Sequence, residues 1–110
     1  MGKDGLGEFE LLVLLASVRL GAGRAYAVAI VDEIRERTGR DIHRASVYVT
    51  LQRLEDKGLI TTRLGESLPE RGGKARRLVR VEAAGLAAIR GSREAFQRMW
   101  VGLTRELESR

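Results

Sequence analysis

The chain has no cysteine. Disulfides and thiolate-held metals are therefore excluded. A reducing compartment is compatible with this, and the expectation is a cytoplasmic protein. One histidine, His43, cannot build a metal site or a histidine-based triad by itself. Serines are few, and none stands in a nucleophile-elbow context. Glu8 and Glu10 fall on opposite sides of one helix, and Glu66 and Glu70 fall on a loop. Neither pair has a nucleophile or base beside it, so no enzyme, cofactor or metal is expected. Long apolar runs are missing too. The longest, Leu11 to Ala16, is far short of the roughly 20 residues that span a bilayer. Asp4, Glu8 and Glu10 make the start unlike a signal peptide, and no membrane partner is expected.

What is present is helix-forming and cationic. The 110 residues suit one compact domain with one extended element. An apolar fraction of 44% is enough for a core. The formal net charge is +5. Much of the positive charge is arginine, whose planar, always-protonated fork matches phosphate oxygens. Net charge alone does not identify a nucleic-acid binder, so the placement of the cations carries the argument.

Periodicity predicts three helices in the first half. Glu8–Leu20, bracketed by Gly7 and Gly21, is apolar on nearly every face. Such a helix must be buried all round, either as a central core helix or by giving part of its surface to a second subunit. Arg24–Thr38 is a second helix, stopped by Gly39, with Tyr26, Ile30 and Ile34 as its buried stripe. Arg44–Lys57 is a third, stopped by Gly58. Its core stripe is Val47, Leu51 and Leu54. Ala45, Val49, Gln52 and Arg53 point the opposite way, flanked by Ser46 and Tyr48. That outer face is odd for a solvated helix, where lysine and glutamate would normally stand.

Leu59–Leu64 and Arg77–Val81 have strand character, and Pro69 with Gly72–Gly73 marks turns between them. This hairpin carries Arg71, Lys74, Arg76, Arg77 and Arg80, with no acid between Arg71 and Arg80. Strand alternation puts Arg76 and Arg80 on one face and Arg77 on the other. From Ala83 to about Leu107 the chain reads as one helix of roughly 36 Å. Gly91 and Gly102 weaken it. Its stripe of Leu86, Ile89, Phe96, Met99, Trp100, Leu103 and Leu107 needs a partner, most simply the same helix of another subunit.

A helix able to enter a groove, with a cationic ribbon beside it, is how a winged helix meets duplex DNA. Arg53 and Gln52 have donor patterns suited to guanine and adenine edges, and Ala45 and Val49 could meet a thymine methyl. Ser46, Tyr48 and Thr50 can donate to phosphates; the alternative for Tyr48 is a core aromatic with its hydroxyl at the edge. Thr50 sits nearer the core stripe. Arg44 begins the third helix as a phosphate contact. Arg24, beside the amino end of the second helix, offers another anchor. Arg71, Lys74, Arg76 and Arg77 serve the wing, whose plain alternative is an ordinary solvated loop. Trp100 and Phe96 are either dimer anchors or also walls of a pocket for a flat apolar ligand.

These segments together resemble the PadR family of bacterial transcriptional regulators. LGEFELLVLLASVRLG, AYAVAIVDEIRERTGR, RASVYVTLQRLEDKGLI and ERGGKARRLVRVEAAGLAAI carry the resemblance, over roughly Leu6 to Ile89. It looks most like the short branch with a single C-terminal helix. The resemblance implies a homodimeric winged helix-turn-helix repressor. The terminal and first helices would make the dimer, the third helix would enter the major groove, and the wing would touch the minor groove or backbone. Many members release DNA when a small aromatic or drug-like molecule binds. Ala27 stands where a glycine is usual, His43 where a serine or threonine often caps, and Glu82 where a threonine is common. Leu78 and Val79 stand where the family's wing commonly carries aromatics.

The expected architecture is mostly α with a small β-hairpin: a winged helix-turn-helix over residues 1–82 and a C-terminal dimerisation helix over 83–110. The expected function is a sequence-specific regulator, a homodimeric repressor on a palindromic double-stranded operator, released by a small effector. Leu12, Leu15, Phe96, Met99, Trp100, Leu103 and Leu107 are the expected dimer contacts. The alternative is a winged-helix protein-interaction module that ignores DNA.

Overall fold

Tyr26 and His43 stand at the starts of the second and third helices without a side-chain capping hydrogen bond, and a glycine follows each of the first three helices closely. A computed structural model describes residues 5–65 and 76–108. Helix α1 spans Glu8–Leu20. Glu10 turns back to accept the Gly7 N–H at 2.9 Å, which satisfies a donor otherwise orphaned at the helix start. Helix α2 spans Ala27–Thr38 and α3 spans Arg44–Asp56. Gly39 closes α2 in the left-handed region at φ 73°. At the end of α3 the Leu59 N–H donates to the Leu54 carbonyl and the Gly58 N–H to that of Glu55. This paired closure needs the positive φ of Gly58.

Strands β1 (Ile60–Leu64) and β2 (Arg77–Val81) form one antiparallel hairpin. The register pairs Ile60 with Val81, Thr62 with Val79 and Leu64 with Arg77. Ile60 and Val79 point into the core, where they join Val13, Leu14, Ile30, Val47 and Leu54. The Val79 N–H also leaves its own sheet and donates to the Ala25 carbonyl at 2.8 Å. The hairpin is thereby tied to the turn before α2.

Helix α4 (Ala83–Trp100) docks on the core through its first two turns, with Ile89 packed against it. Gly85 makes that docking possible. A Cβ there would run into the Leu59 carbonyl and lie 2.8 Å from Val81 Cγ1. The molecule measures 54 × 31 × 20 Å, with a radius of gyration of 15.9 Å. A compact chain of this length would have about 13 Å, so the helix overhangs the domain.

The structure corrects several expectations. Helix α2 begins at Ala27, because the N–H groups of Arg24 and Ala25 both bond to the Gly21 carbonyl and hold a turn there. Arg24 lies in that turn, and Tyr26 caps the helix from outside. Of the two readings of α1, a helix wholly central to its own domain does not hold, since Leu15 and Val18 are exposed in the single chain, while Leu12 packs partly against the chain's own core. The terminal helix is not continuous to Leu107. It stops at Trp100, turns through Gly102 at φ 86°, and resumes as α5, Thr104–Glu108. Gly91 lies within α4 without breaking it. Arg71, Lys74, Pro69, Gly72 and Gly73 lie outside the described residues.

Candidate nucleic-acid interface

The outer face of α3 is built by the inner one. Val47, Leu51 and Leu54 are buried, and this orientation leaves Arg44, Ala45, Ser46, Tyr48, Val49, Gln52 and Arg53 exposed. Tyr48 and Val49 are more than half exposed, at 55% and 54%, so Tyr48 is not a core aromatic. Thr50 is the correction on this helix. It is buried beside Leu51, so it has no route to a phosphate and leaves the set of contacts. Gln52 donates one amide N–H to Asp56 at 3.1 Å, which orients its amide along the face.

Two polar ties aim this helix. Arg35 of α2 donates to the Ile42 carbonyl at 2.7 Å, and Ile42 plugs into the core, which sets the α2–α3 turn. At the other end, Lys57 donates to both carboxylate oxygens of Glu10, at 3.0 and 2.9 Å. Burial alone would push the Glu10 carboxyl up. The Gly7 N–H, the Lys57 ammonium and the charge of Arg53 together bring it below the ordinary glutamate value. A buried acid thus clamps the end of α3 to α1.

Between α3, the start of α2 and the hairpin runs a groove of about 740 Å³. Arg44, Arg76 and Arg77 line it, against the single acid Glu55 among its described lining residues. Ala27 and Leu51 contribute apolar floor, and Tyr26 and Tyr48 contribute rings. Arg77 shares the inward face of β2 with Val79 and donates to Thr62 Oγ1 at 2.8 Å. Thr62 in turn donates to Glu55, at 3.3 Å to the nearer oxygen. Arg76 precedes the strand, so the pleat does not govern it. Its guanidinium carbon lies 4.4 Å from the centre of the Tyr26 ring. Arg76 therefore joins Arg77 in the groove rather than sharing a face with Arg80, contrary to the alternation argument.

Of the expected contacts, the structure brings together Arg44, Tyr48, Gln52, Arg76 and Arg77 around this groove, with Ala45, Ser46, Val49 and Arg53 on the adjoining helix face. Arg24 is exposed in its turn, outside the groove lining. Arg71 and Lys74 fall outside the described residues. Sequence reasoning missed Tyr26, Glu55 and Thr62. Its spacing to Ile30 puts the Tyr26 side chain on the α2 core stripe, and nothing local signals that it meets an arginine fifty positions away.

A second surface lies on the far part of α4. Phe96, Met99 and Trp100 are 52%, 74% and 58% exposed, and Leu103 and Leu107 beyond the break are exposed as well. The Phe96 and Trp100 rings lie 6.0 Å apart at a tilt of 34°. No described helix is long and apolar enough to cross a membrane.

Comparison with known proteins agrees with this geometry. The chain matches the transcriptional regulator PadR-like family over residues 14–91. No curated protein is significantly similar in sequence. Among solved structures, a PadR family transcriptional regulator from Eggerthella lenta is 26% identical, with a TM-score of 0.68, over 90% of this chain and 83% of that one. A PadR family regulator from Clostridium difficile superposes with a TM-score of 0.73 at 18% identity, over 92% and 99% of the two chains. A winged-helix DNA-binding protein of STIV superposes with a TM-score of 0.64 at 18% identity, over 84% and 90%. The winged-helix architecture and the match over most of the chain place this protein in the PadR-like family, a family of transcriptional regulators and not of enzymes.

Proposed function

We propose that the protein is a dimeric repressor that reads duplex DNA with α3 and grips the sugar–phosphate backbone with the hairpin. The observation that carries this reading is the convergence of Arg44, Arg76 and Arg77 on one groove beside the open face of α3. Phosphate contacts fix register, and base-edge contacts carry sequence information. In this assignment Arg44, Arg76 and Arg77 hold the backbone, with Arg24 as a flanking anchor and Arg71 and Lys74 extending the wing. Gln52 and Arg53 read base edges, Ala45 and Val49 meet thymine methyls, and Ser46 and Tyr48 steady the helix against phosphates.

The second copy is proposed from the α4 stripe. Leu15 on α1, with Phe96, Met99, Trp100, Leu103 and Leu107, offers the apolar surface, and Leu12 supports it from the core side. Two-fold symmetry then calls for a palindromic operator with half-sites about one helical turn apart, or a multiple of it. The Phe96–Trp100 pair is the proposed seat of a small aromatic effector that releases DNA, and the cytoplasm is the proposed place of action. Fluorescence anisotropy against duplexes from the gene's own upstream region tests the reading. Binding that weakens steeply with salt is expected. Arg44→Ala should lower affinity for every duplex and reduce the log–log salt slope by about 0.9. Gln52→Ala should relax choice at one base pair only. A chain that ignores duplexes in dilute buffer would instead be a protein-binding winged helix. Quenching of Trp100 fluorescence by flat aromatic compounds tests the effector; no quenching by any of them points to a regulator controlled by abundance.

A further inference from the structure

We infer that Tyr26 is a positioning residue for the wing: its ring holds the Arg76 guanidinium over the groove, where that cation meets the phosphodiester backbone. This rests on the duplex-binding reading above and adds to it a residue that touches the ligand through another. Three observations converge. Arg76 Cζ stands 4.4 Å from the Tyr26 ring centre, within the range where a cation is attracted to an aromatic face. The two residues are brought together by fixed backbone, because the Val79 N–H bonds to the Ala25 carbonyl at 2.8 Å. The hairpin and the start of α2 are thus tied one residue before Tyr26 and three residues after Arg76. Among the described residues the Arg76 guanidinium makes no ion pair and no hydrogen bond, so the ring is its described support.

The chemistry follows from how a guanidinium binds. Its five N–H donors lie in its plane, and its face is weakly hydrated. A guanidinium held at its face by a ring keeps its edge donors for phosphate oxygens. An acid in Tyr26's place would also hold the arginine, but it would consume those donors and repel the phosphate. A long free arginine would lose rotamer freedom on binding, and one already held loses less. Tyr26 itself is the extended N-cap of α2, at φ −139° and ψ 166°. It is the ring of Tyr26 that meets the guanidinium, and the Phe variant below separates the ring from the hydroxyl.

The test is a double-mutant cycle on the full chain, read by anisotropy of a labelled mixed-sequence duplex long enough for both half-sites. Arg76→Ala should weaken binding and reduce the salt slope by about one phosphate contact. Tyr26→Leu should weaken binding about two- to five-fold, and Tyr26→Phe should restore it. In the Arg76→Ala background, Tyr26→Leu should have no further effect. Thermal melts of each variant separate loss of fold from loss of contact, and the Phe variant keeps the ring if the Leu variant melts early. Equal effects of Tyr26→Leu in both backgrounds overturn the inference, as does a Phe variant as weak as the Leu variant, which would assign the hydroxyl a direct phosphate contact. Failure of the wild-type chain to bind any duplex overturns the duplex reading itself, and this inference falls with it.

Discussion

Glu10 is a buried acid in a largely apolar helix, and it is 9% exposed. A buried charge is tolerated only when its neighbours satisfy it, and here the Gly7 N–H and the Lys57 ammonium do so. Its folded carboxyl titrates below the ordinary value of 4.5. The stabilisation is therefore fully present above that value and is lost as pH falls through the lower folded one. Thermal melts across acid pH should show the wild type losing stability in that window, and Glu10→Gln showing a flatter profile from a lower starting point. Gly85 makes the opposite kind of demand, for empty space. Gly85→Ala puts a methyl against the Leu59 carbonyl and Val81, and should cost about 1–3 kcal/mol in denaturant unfolding.

Helix α4 shows at the level of elements where composition decides and where it does not. Gly91 and Gly102 both weaken a helix, yet only Gly102 ends one, at φ 86°. An alanine in that left-handed position is strained by roughly 1–2 kcal/mol, and it is the better helix former. Gly102→Ala should therefore fuse α4 with α5 and raise the helical ellipticity, measurable by circular dichroism. The helices of the first half were legible because period-3.6 burial and glycine stops act locally: Val47, Leu51 and Leu54 had to face inward together, and Gly39 and Gly58 had to close their helices. The start of α2 was less legible, because Arg24 and Ala25 are held by the Gly21 carbonyl in a turn that no residue type announces. The outer face of α3 followed from its inner face, except that Thr50 borders the buried stripe closely enough to be drawn in. The Tyr26–Arg76 pair was not legible at all. It depends on a backbone bond between Val79 and Ala25, and no local pattern encodes such a long-range contact.

At the level of the whole molecule, the exposed rings of Phe96 and Trp100 argue for association. Large aromatic anchors dominate interfaces of this kind. Trp100→Ala should weaken the proposed dimer about thirty-fold or more in sedimentation equilibrium, the equivalent of roughly 2 kcal/mol. It should leave the monomer's melting temperature almost unchanged, since Trp100 makes no contribution to the buried core.

The docking of α4 at Gly85 has a consequence for operator choice. The 18 residues of that helix span about 27 Å. In the proposed dimer each reading head hangs from one end of this lever while the pivot sits at the other. A crossing angle altered by only about 10° swings each head through roughly 5 Å, more than the rise of one base-pair step. Tolerance for spacing between half-sites would then be set far from the DNA, by the stiffness of the pivot.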